Sequence, residues 1–508
     1  MQMQAEGIGS WLKYREIVTP EREAVVIDGK RFNYKQLNLR VNQLSSALQA
    51  QRIKHGDRIG VLAYNGIEFV EIIMAAAKLG LILVPLNWRL TPTELSFILS
   101  DSSAQTLFYD ASFTAVAEEL KSKIPLKNFV SISGASTLKG SVVYDEIIAG
   151  KAEQEPKPDK EVGFDTPHII MYTAGTTGKP KGAVLTQGAS FWNAVNVVVA
   201  MDLTSADRNL NVLPMFHIGG IGLFTLPLFY VGGTVILTRT FDPSKALSLI
   251  KQERISIFMG VPAIFLFLAQ QPDFAIMKNV RVIMSGGAPL PVSLVKLYHE
   301  KGLRLCQGFG MSEAAPSIAI LDLDMYLKKA GSIGRGLMHL EARVVDEQMN
   351  DVKPGEIGEL VIRGPNVMTG YWNREEATEE AFRGGWFHSG DLARKDEDGD
   401  LYIVDRSKDM YISGGENVYP AEVENAIYEI QEIGEAAVIG IPDAKWGEVG
   451  KAIVAVKPGK KLTEEQIITF LKRRLAKFKV PASVAFIDVL PRNAMGKVLK
   501  NTLREKYK

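Results

Sequence analysis

Cysteine is almost missing, with Cys306 alone in 508 residues. That excludes a disulfide framework within the chain and fits a reducing compartment. Cys306 closes the apolar segment Leu303 to Cys306 and reads as a buried strand residue. The six histidines form neither a His-x-x-x-His pair nor a Cys/His set, so no zinc site is expected. Neither sign of charge dominates: 59 Lys+Arg against 58 Asp+Glu leave a net +1 and no global attraction for nucleic acid. No basic segment followed by an apolar core opens the chain, so no signal peptide is expected. An unbroken membrane span is lacking as well. Val212 to Leu237 is long and largely apolar, but Pro214, Pro227 and five glycines interrupt it, and it reads as strand, loop, buried helix and strand. With 46% hydrophobic and 23% charged residues, the composition is that of a soluble globular protein, long enough for two or more domains.

What is present is an alternation of strands and helices. Glu23 to Ile27 reads as a strand, and Asn33 caps a helix to about Gln51 with Leu37, Val41, Leu44 and Leu48 on one face. Thr91, Pro92 and Glu94 make a helix start with a capping box. The alternation continues to about residue 340 and predicts parallel sheets flanked by helices. Lys151 to Lys160, polar with two prolines, reads as a surface connector. From about 340 to 405, short strands separated by Pro-Gly and Asp-Gly turns predict a small antiparallel barrel or sheet. From Arg406 a compact α+β segment follows. The expected division is therefore 1–405, with a β-rich part at about 340–405, and 406–508. Between Lys457 and Lys508, fourteen Lys/Arg face four Asp/Glu. A solvated helix face and an attraction for anions or a membrane surface both remain open there.

The chemistry concentrates in Tyr172 to Gly182, behind the apolar run His168 to Tyr172. Gly175, Gly178 and Gly182 let backbone N–H groups approach a ligand closely, Thr173, Thr176 and Thr177 add hydroxyls, and Lys179 and Lys181 add positive charge. Such a set suits a polyphosphate. A Walker loop is excluded by the spacing and by Pro180 after Lys179. Farther on, Gln307-Gly308-Phe309-Gly310-Met311-Ser312-Glu313 offers a flat apolar ring for a purine, a hydroxyl for an α-phosphate and, at Glu313, a hard oxygen for Mg²⁺. Asp391 has two acceptors for the two hydroxyls of a ribose.

These segments resemble the signatures of the adenylate-forming enzymes: acyl-CoA synthetases, adenylation domains and luciferases. The likeness covers nearly the whole chain and is nearest to the bacterial and archaeal fatty-acyl-CoA synthetases. It departs from the usual pattern at Ala174 and Ser312, where the family has Ser and Thr, and at Met495, where it has Thr. The resemblance implies that Gly287, Ala288 and Pro289 lie along the adenine and that Arg406 joins Asp391 at the ribose. It further implies that Phe216 and His217 border the carboxylate and gate an acyl channel. Lys408 is the implied hinge of a mobile C-terminal domain, and Ser413, Gly414 and Gly415 line a pantetheine tunnel. Lys497 is the implied catalytic lysine, acting with His217, Glu313 and Thr173. The glycines after His217 (Gly219, Gly220, Gly222) have two readings. Either they leave a lane for an aliphatic chain beside Phe216, Ile221, Leu223 and Phe265, or they permit close helix packing.

The implied reaction joins a carboxylic acid to coenzyme A. An acyl-AMP forms with release of pyrophosphate, and the thiol then displaces AMP. Medium- to long-chain fatty acids are the expected substrates, with aryl or arylacetate acids and carrier-protein loading as alternatives. A cytoplasmic location is expected, and peripheral membrane contact and homodimer formation stay open.

Overall fold

The computed structural model describes residues 7–132, 134, 138–173, 180–406, 409–492 and 498–507. Two large sheets organise the first four hundred residues. The first runs Gly370–Tyr371, Lys181–Thr186, Pro167–Thr173, Ile82–Pro85, Arg58–Leu62, Thr106–Asp110, Asn128–Ile132 and Val142–Val143 in spatial order. Its pairs are parallel except for the first two, Gly370–Tyr371 with Lys181–Thr186 and Lys181–Thr186 with Pro167–Thr173, which are antiparallel. The second has Arg208–Asn211 at its centre, between Ile257–Gly260 and Thr234–Leu237. It is parallel from Leu305–Gly310 to Glu23–Ile27 and closed at both edges by antiparallel strands.

The helix Ile67–Leu79 lies in the core between these layers, with every residue but Glu68 buried. A helix apolar on all sides belongs there, yet two of the buried residues of this one are charged. Arg40 and the Tyr144 hydroxyl neutralise and hydrogen-bond Glu71. The Lys78 ammonium donates to Asn38 Oδ1 and Asn42 Oδ1 at 2.6 Å and to Glu155 Oε2 at 2.7 Å. Glu155 belongs to the Lys151–Lys160 connector, so that surface segment is pinned by an ion pair whose lysine is buried.

Local signals decide several helix starts. Asn33 and Thr91 both cap through complete capping boxes, with Gln36 and Glu94 returning the hydrogen bond. The Val212–Leu237 stretch folds as two short helices, Ile218–Gly222 and Thr225–Val231, and the strand Thr234–Leu237. No helix among the described residues is long and apolar enough to cross a membrane.

The β-rich part is a four-stranded antiparallel sheet of Glu341–Val345, Ile357–Arg363, Phe387–Lys395 and Leu401–Arg406. Gly370–Tyr371 leaves it to pair with Lys181–Thr186 in the first sheet. Beyond Asp409 a five-stranded sheet is built on the long hairpin Ile433–Asp443 and Gly447–Val456. Part of the basic tail is neutralised within the chain. Arg474, Lys479, Arg492, Lys500 and Arg504 pair with Glu429, Glu422, Glu435, Glu424 and Asp409.

Candidate active site

Two antiparallel strands hold the ends of the glycine-rich stretch. Thr173 closes one, Lys181 opens the other, and they are register partners. Gly175, Thr176, Thr177, Gly178 and Lys179 lie outside the described residues, as do Lys408 and Lys497. Thr173 is half-buried, and its Oγ1 donates to Glu313 Oε1 at 3.5 Å. The Tyr371 hydroxyl donates to the same oxygen at 3.2 Å. The Lys181 ammonium sits 5.3 Å above the Tyr371 ring, within cation–π range. A threonine, a lysine, a tyrosine and a glutamate from distant parts of the sequence thus converge at the mouth of the glycine-rich stretch.

Glu313 reaches this point because the chain turns sharply after the strand Leu305–Gly310. Met311 N–H donates to Pro316 O at 2.9 Å, closing the turn. A Cβ on Gly310 would stand 1.9 Å from that same Pro316 oxygen, so only glycine fits. Met368 N–H donates to Glu313 O at 2.8 Å and fixes the backbone from the other side. Desolvation raises the Glu313 carboxyl above its ordinary range, although a backbone hydrogen bond and the Tyr371 hydroxyl favour the charged form. A carboxylate with hydroxyl neighbours is a hard-oxygen donor set, and it fits Mg²⁺.

The strand Val282–Ser285, which leads into Gly286 to Pro289, pairs with this strand. Ser285 is the register partner of Gln307, and Gly286 approaches Gly308 O to within 3.2 Å of where a Cβ would stand. Gly287, Ala288 and Pro289 follow that paired strand and are partly or fully exposed, and Phe309 is half-buried. Gln307 turns inward, its amide donating to Ser332 O at 2.7 Å, and serves as an anchor in the strand. Met311 and Ser312 remain partly open. Asp391 and Arg406 are also register partners, joined Nε to Oδ1 at 3.2 Å.

His217 stands at the start of the helix Ile218–Gly222. Its ring centroid is 4.4 Å from that of Phe216, which meets Trp88 edge-on at 6.1 Å. The Arg89 guanidinium covers Trp88 at 4.0 Å. Burial, aided by the charge of Arg89, pushes the His217 imidazole down to about 3, so the ring is neutral near pH 7. Asn65 holds the loop before it, donating to Leu213 O at 2.9 Å and accepting from Met215 N–H at 2.8 Å.

The open glycine lane is not what the structure contains. A Cβ on Gly220 would meet Pro214 O at 2.4 Å, and one on Gly222 would meet Ala315 O at 2.6 Å. Backbone fills both places, so these two glycines permit close packing. Gly219 alone faces side chains, with Leu223 Cδ1 and Leu213 Cδ1 at 3.6 and 3.8 Å. Ile221 is fully buried in the core. Phe265 is elsewhere, packed edge-on against Phe258 and Tyr298 in a separate core.

Ser413, Gly414 and Gly415 form the tip of a hairpin on the C-terminal sheet, where Gly414 N–H donates to Trp446 O at 2.8 Å. Among the described residues, their hydrogen bonds are within that sheet. Tyr371, Asn65, Trp88 and Arg89 were not legible as neighbours of the site from the sequence alone. Tyr371 lies 58 residues from the carboxylate it serves, and no local spacing rule links them.

Residues 15–372 match the family model for the AMP-binding enzyme, and residues 422–497 match that for the AMP-binding enzyme C-terminal domain. A feruloyl-CoA synthase from an Amycolatopsis species is 42% identical over 507 residues, 99% of this chain and 100% of that one. A long-chain-fatty-acid–CoA ligase from Mycobacterium tuberculosis is 40% identical over 507 residues, 99% of each chain. Among solved structures, the o-succinylbenzoate coenzyme A synthetase from Bacillus subtilis, in complex with ATP and magnesium, matches with a TM-score of 0.86. It is 33% identical over 97% of this chain and 99% of that one. Coverage of this extent, at such identity, places the chain in the AMP-binding family of adenylate-forming enzymes.

Proposed function

We propose that the protein is an ATP-dependent, AMP-forming acid–CoA ligase. The observation that carries this reading is the meeting of Thr173, Lys181, Tyr371 and Glu313 at the mouth of the phosphate-type stretch. In the first step an acid carboxylate attacks the α-phosphorus of ATP, forming acyl-AMP and releasing pyrophosphate. In the second the coenzyme A thiol displaces AMP. Lys181 and the threonines hold phosphate oxygens by charge and hydroxyl contact. Glu313, with Thr173 beside it, would hold Mg²⁺, which supplies charge neutralisation on the phosphates. Neutral His217 borders the carboxylate without placing a competing positive charge there. Asp391 and Arg406 hold the ribose, Gly287 to Pro289 and Phe309 flank the adenine, and Lys497 brings its ammonium to the forming bond. The buried surroundings protect the acyl-AMP from water.

Two substrate readings compete. Similarity to the mycobacterial ligase supports a medium- to long-chain fatty acid. A compact, aryl-type acid is supported by similarity to the feruloyl-CoA synthase and by the backbone that fills the places beside Gly220 and Gly222, where an aliphatic lane was expected. The geometry favours the compact acid. Pyrophosphate release across a panel of fatty and aryl acids, with and without coenzyme A, tests both points. Release with no acid would overturn the ligase reading. A preference for octanoate and longer acids over aryl acids would overturn the compact substrate.

A further inference from the structure

Asn193, on the helix Gln187–Ala200, is fully buried and joins two places far apart in the chain. Its Nδ2 donates to Gly222 O at 2.7 Å, and its Oδ1 accepts from Ser317 N–H at 3.0 Å. Gly222 ends the short helix that starts directly after His217. Ser317 opens the strand Ser317–Ile320, one residue past the Ala315–Pro316 turn that sets Glu313 in place. A single amide therefore ties the histidine side of the site to the carboxylate side.

Both ends call for this residue type. The carbonyl at a helix end only accepts, and a backbone N–H only donates. Asparagine offers a donor and an acceptor on one planar group, whereas aspartate lacks the donor and leucine has neither. A buried amide is costly unless it is hydrogen-bonded, and this one is bonded on both atoms. Direct packing reinforces the tie, since a Cβ on Gly222 would stand 2.6 Å from Ala315 O. The turn is clamped from its other side by Asn366, also fully buried, whose Nδ2 donates to Ala314 O at 2.8 Å and to Ser317 O at 2.9 Å. Asn366 thus holds the turn, and Asn193 holds the turn and the helix together. A helix of five residues is only about 7.5 Å long, so a shift at the His217 end is carried to Gly222 and through Asn193 to the turn.

We infer that Asn193 is a positioning residue that couples binding of the acid beside His217 to binding of Mg²⁺ and ATP at Glu313. The inference rests on the ligase reading above, which assigns those two roles. With Asn193 in place, setting the helix around a carboxylate also sets the turn that presents Glu313, so the second ligand meets a prepared site. Coupling of this kind is reciprocal: the factor by which the nucleotide tightens the acid is the factor by which the acid tightens the nucleotide.

Titration calorimetry tests this with two probes. One is the acid (cinnamate, octanoate or another of the panel) that releases pyrophosphate fastest. The other is the magnesium complex of α,β-methylene-ATP, which cannot transfer AMP. In the wild type each probe is expected to tighten the other by the same factor, about 5-fold or more. In Asn193→Leu each probe alone is expected still to bind, with the mutual factor lost. Asn366→Leu is expected to weaken the nucleotide complex and keep the factor. A purely structural asparagine would lower the melting temperature and leave the factor unchanged. Absence of mutual tightening in the wild type overturns the inference. So does a factor that survives in Asn193→Leu, or one lost equally in Asn366→Leu. Asn193→Ser, too short to span both partners, takes the place of the leucine variant if that fails to fold, and survival of the factor there overturns the inference as well. An active ligase without coupling refutes only this inference, whereas failure to release pyrophosphate with any acid refutes the ligase reading and this inference with it.

Discussion

Gly310 and Gly222 press from two sides on the Ala315–Pro316 turn that sets Glu313 in place, with clearances of 1.9 and 2.6 Å for a would-be Cβ. Because the obstructing atoms are backbone oxygens, a methyl group at either position has to move the turn. Gly310→Ala is expected to cost about 1–3 kcal/mol of stability and to lower pyrophosphate release by displacing Glu313. Thermal melting and ATP–pyrophosphate exchange on the same preparation read both effects. Glu313→Gln is the cleaner probe. It keeps the shape, and it is expected to depress adenylation by about 10²–10³-fold without changing the melting temperature. Retained adenylation at ordinary Mg²⁺ would exclude a metal-holding role. A second buried residue reports on pH. His168 is fully buried between Ser190 Oγ and Ile73 O, and burial pushes its imidazole down to about 4. The unfolded chain therefore binds a proton that the folded chain refuses. The stability is present above the ordinary histidine value and is lost as pH falls from about 6.5 toward 4, by about 3 kcal/mol over that window. His168→Gln is expected to flatten urea-denaturation midpoints measured across this range.

At the scale of elements, the sequence was legible where the partners are close in the chain. The capping boxes at Asn33 and Thr91 and the strand Thr234–Leu237 follow from residues within a few positions of one another. The glycines after His217 were not legible, because what fills their empty side is the carbonyl of Pro214 and the turn at Ala315 folding back upon them. Tyr371 was missed for a related reason. It stands on a two-residue strand that leaves one sheet to join another, and only that excursion brings its hydroxyl to Glu313. Another link between elements also escapes any spacing rule. Lys329 reaches into the hairpin turn at residues 396–400 and meets Asp396 at 2.7 Å, Asp398 at 2.5 Å and Asp400 at 3.5 Å, beside Ser332 Oγ donating to Leu401 O at 2.8 Å. The hydrogen bond from Lys329 lowers the Asp398 carboxyl, and at Asp396 the same lysine outweighs the upward push of desolvation. Both carboxyls are depressed, so their stabilising contribution is present above about pH 4 and fades as pH falls through the lower folded values. Lys329→Met is expected to lower the melting temperature at pH 7 and to lessen its fall between pH 5 and 3.

For the whole molecule, we propose that the C-terminal sheet changes its position against the rest between the two steps. Lys497→Ala is expected to cut acyl-AMP formation by about 10²–10³-fold while sparing conversion of supplied acyl-AMP to acyl-CoA. Lys408→Pro, which fixes φ at the expected hinge, is expected to spare adenylation and cripple thioester formation. Assaying the half-reactions separately decides this, since equal losses in both steps for both variants would contradict alternation. The surroundings of residue 408 say how such movement is constrained. On one side Arg406 is bound to Asp391, and on the other Asp409 is bound to Arg504 of the last helix at 2.7 Å. Asp409 N–H also donates back to Arg406 O at 2.9 Å. Three peptide links join these anchors, a tether of about 11 Å at full stretch. A leash that short admits turning but hardly any sliding or separation. The two parts of one chain therefore stay at a high fixed local concentration for each other, and exchanging C-terminal parts between neighbouring molecules would require these anchors to come undone first.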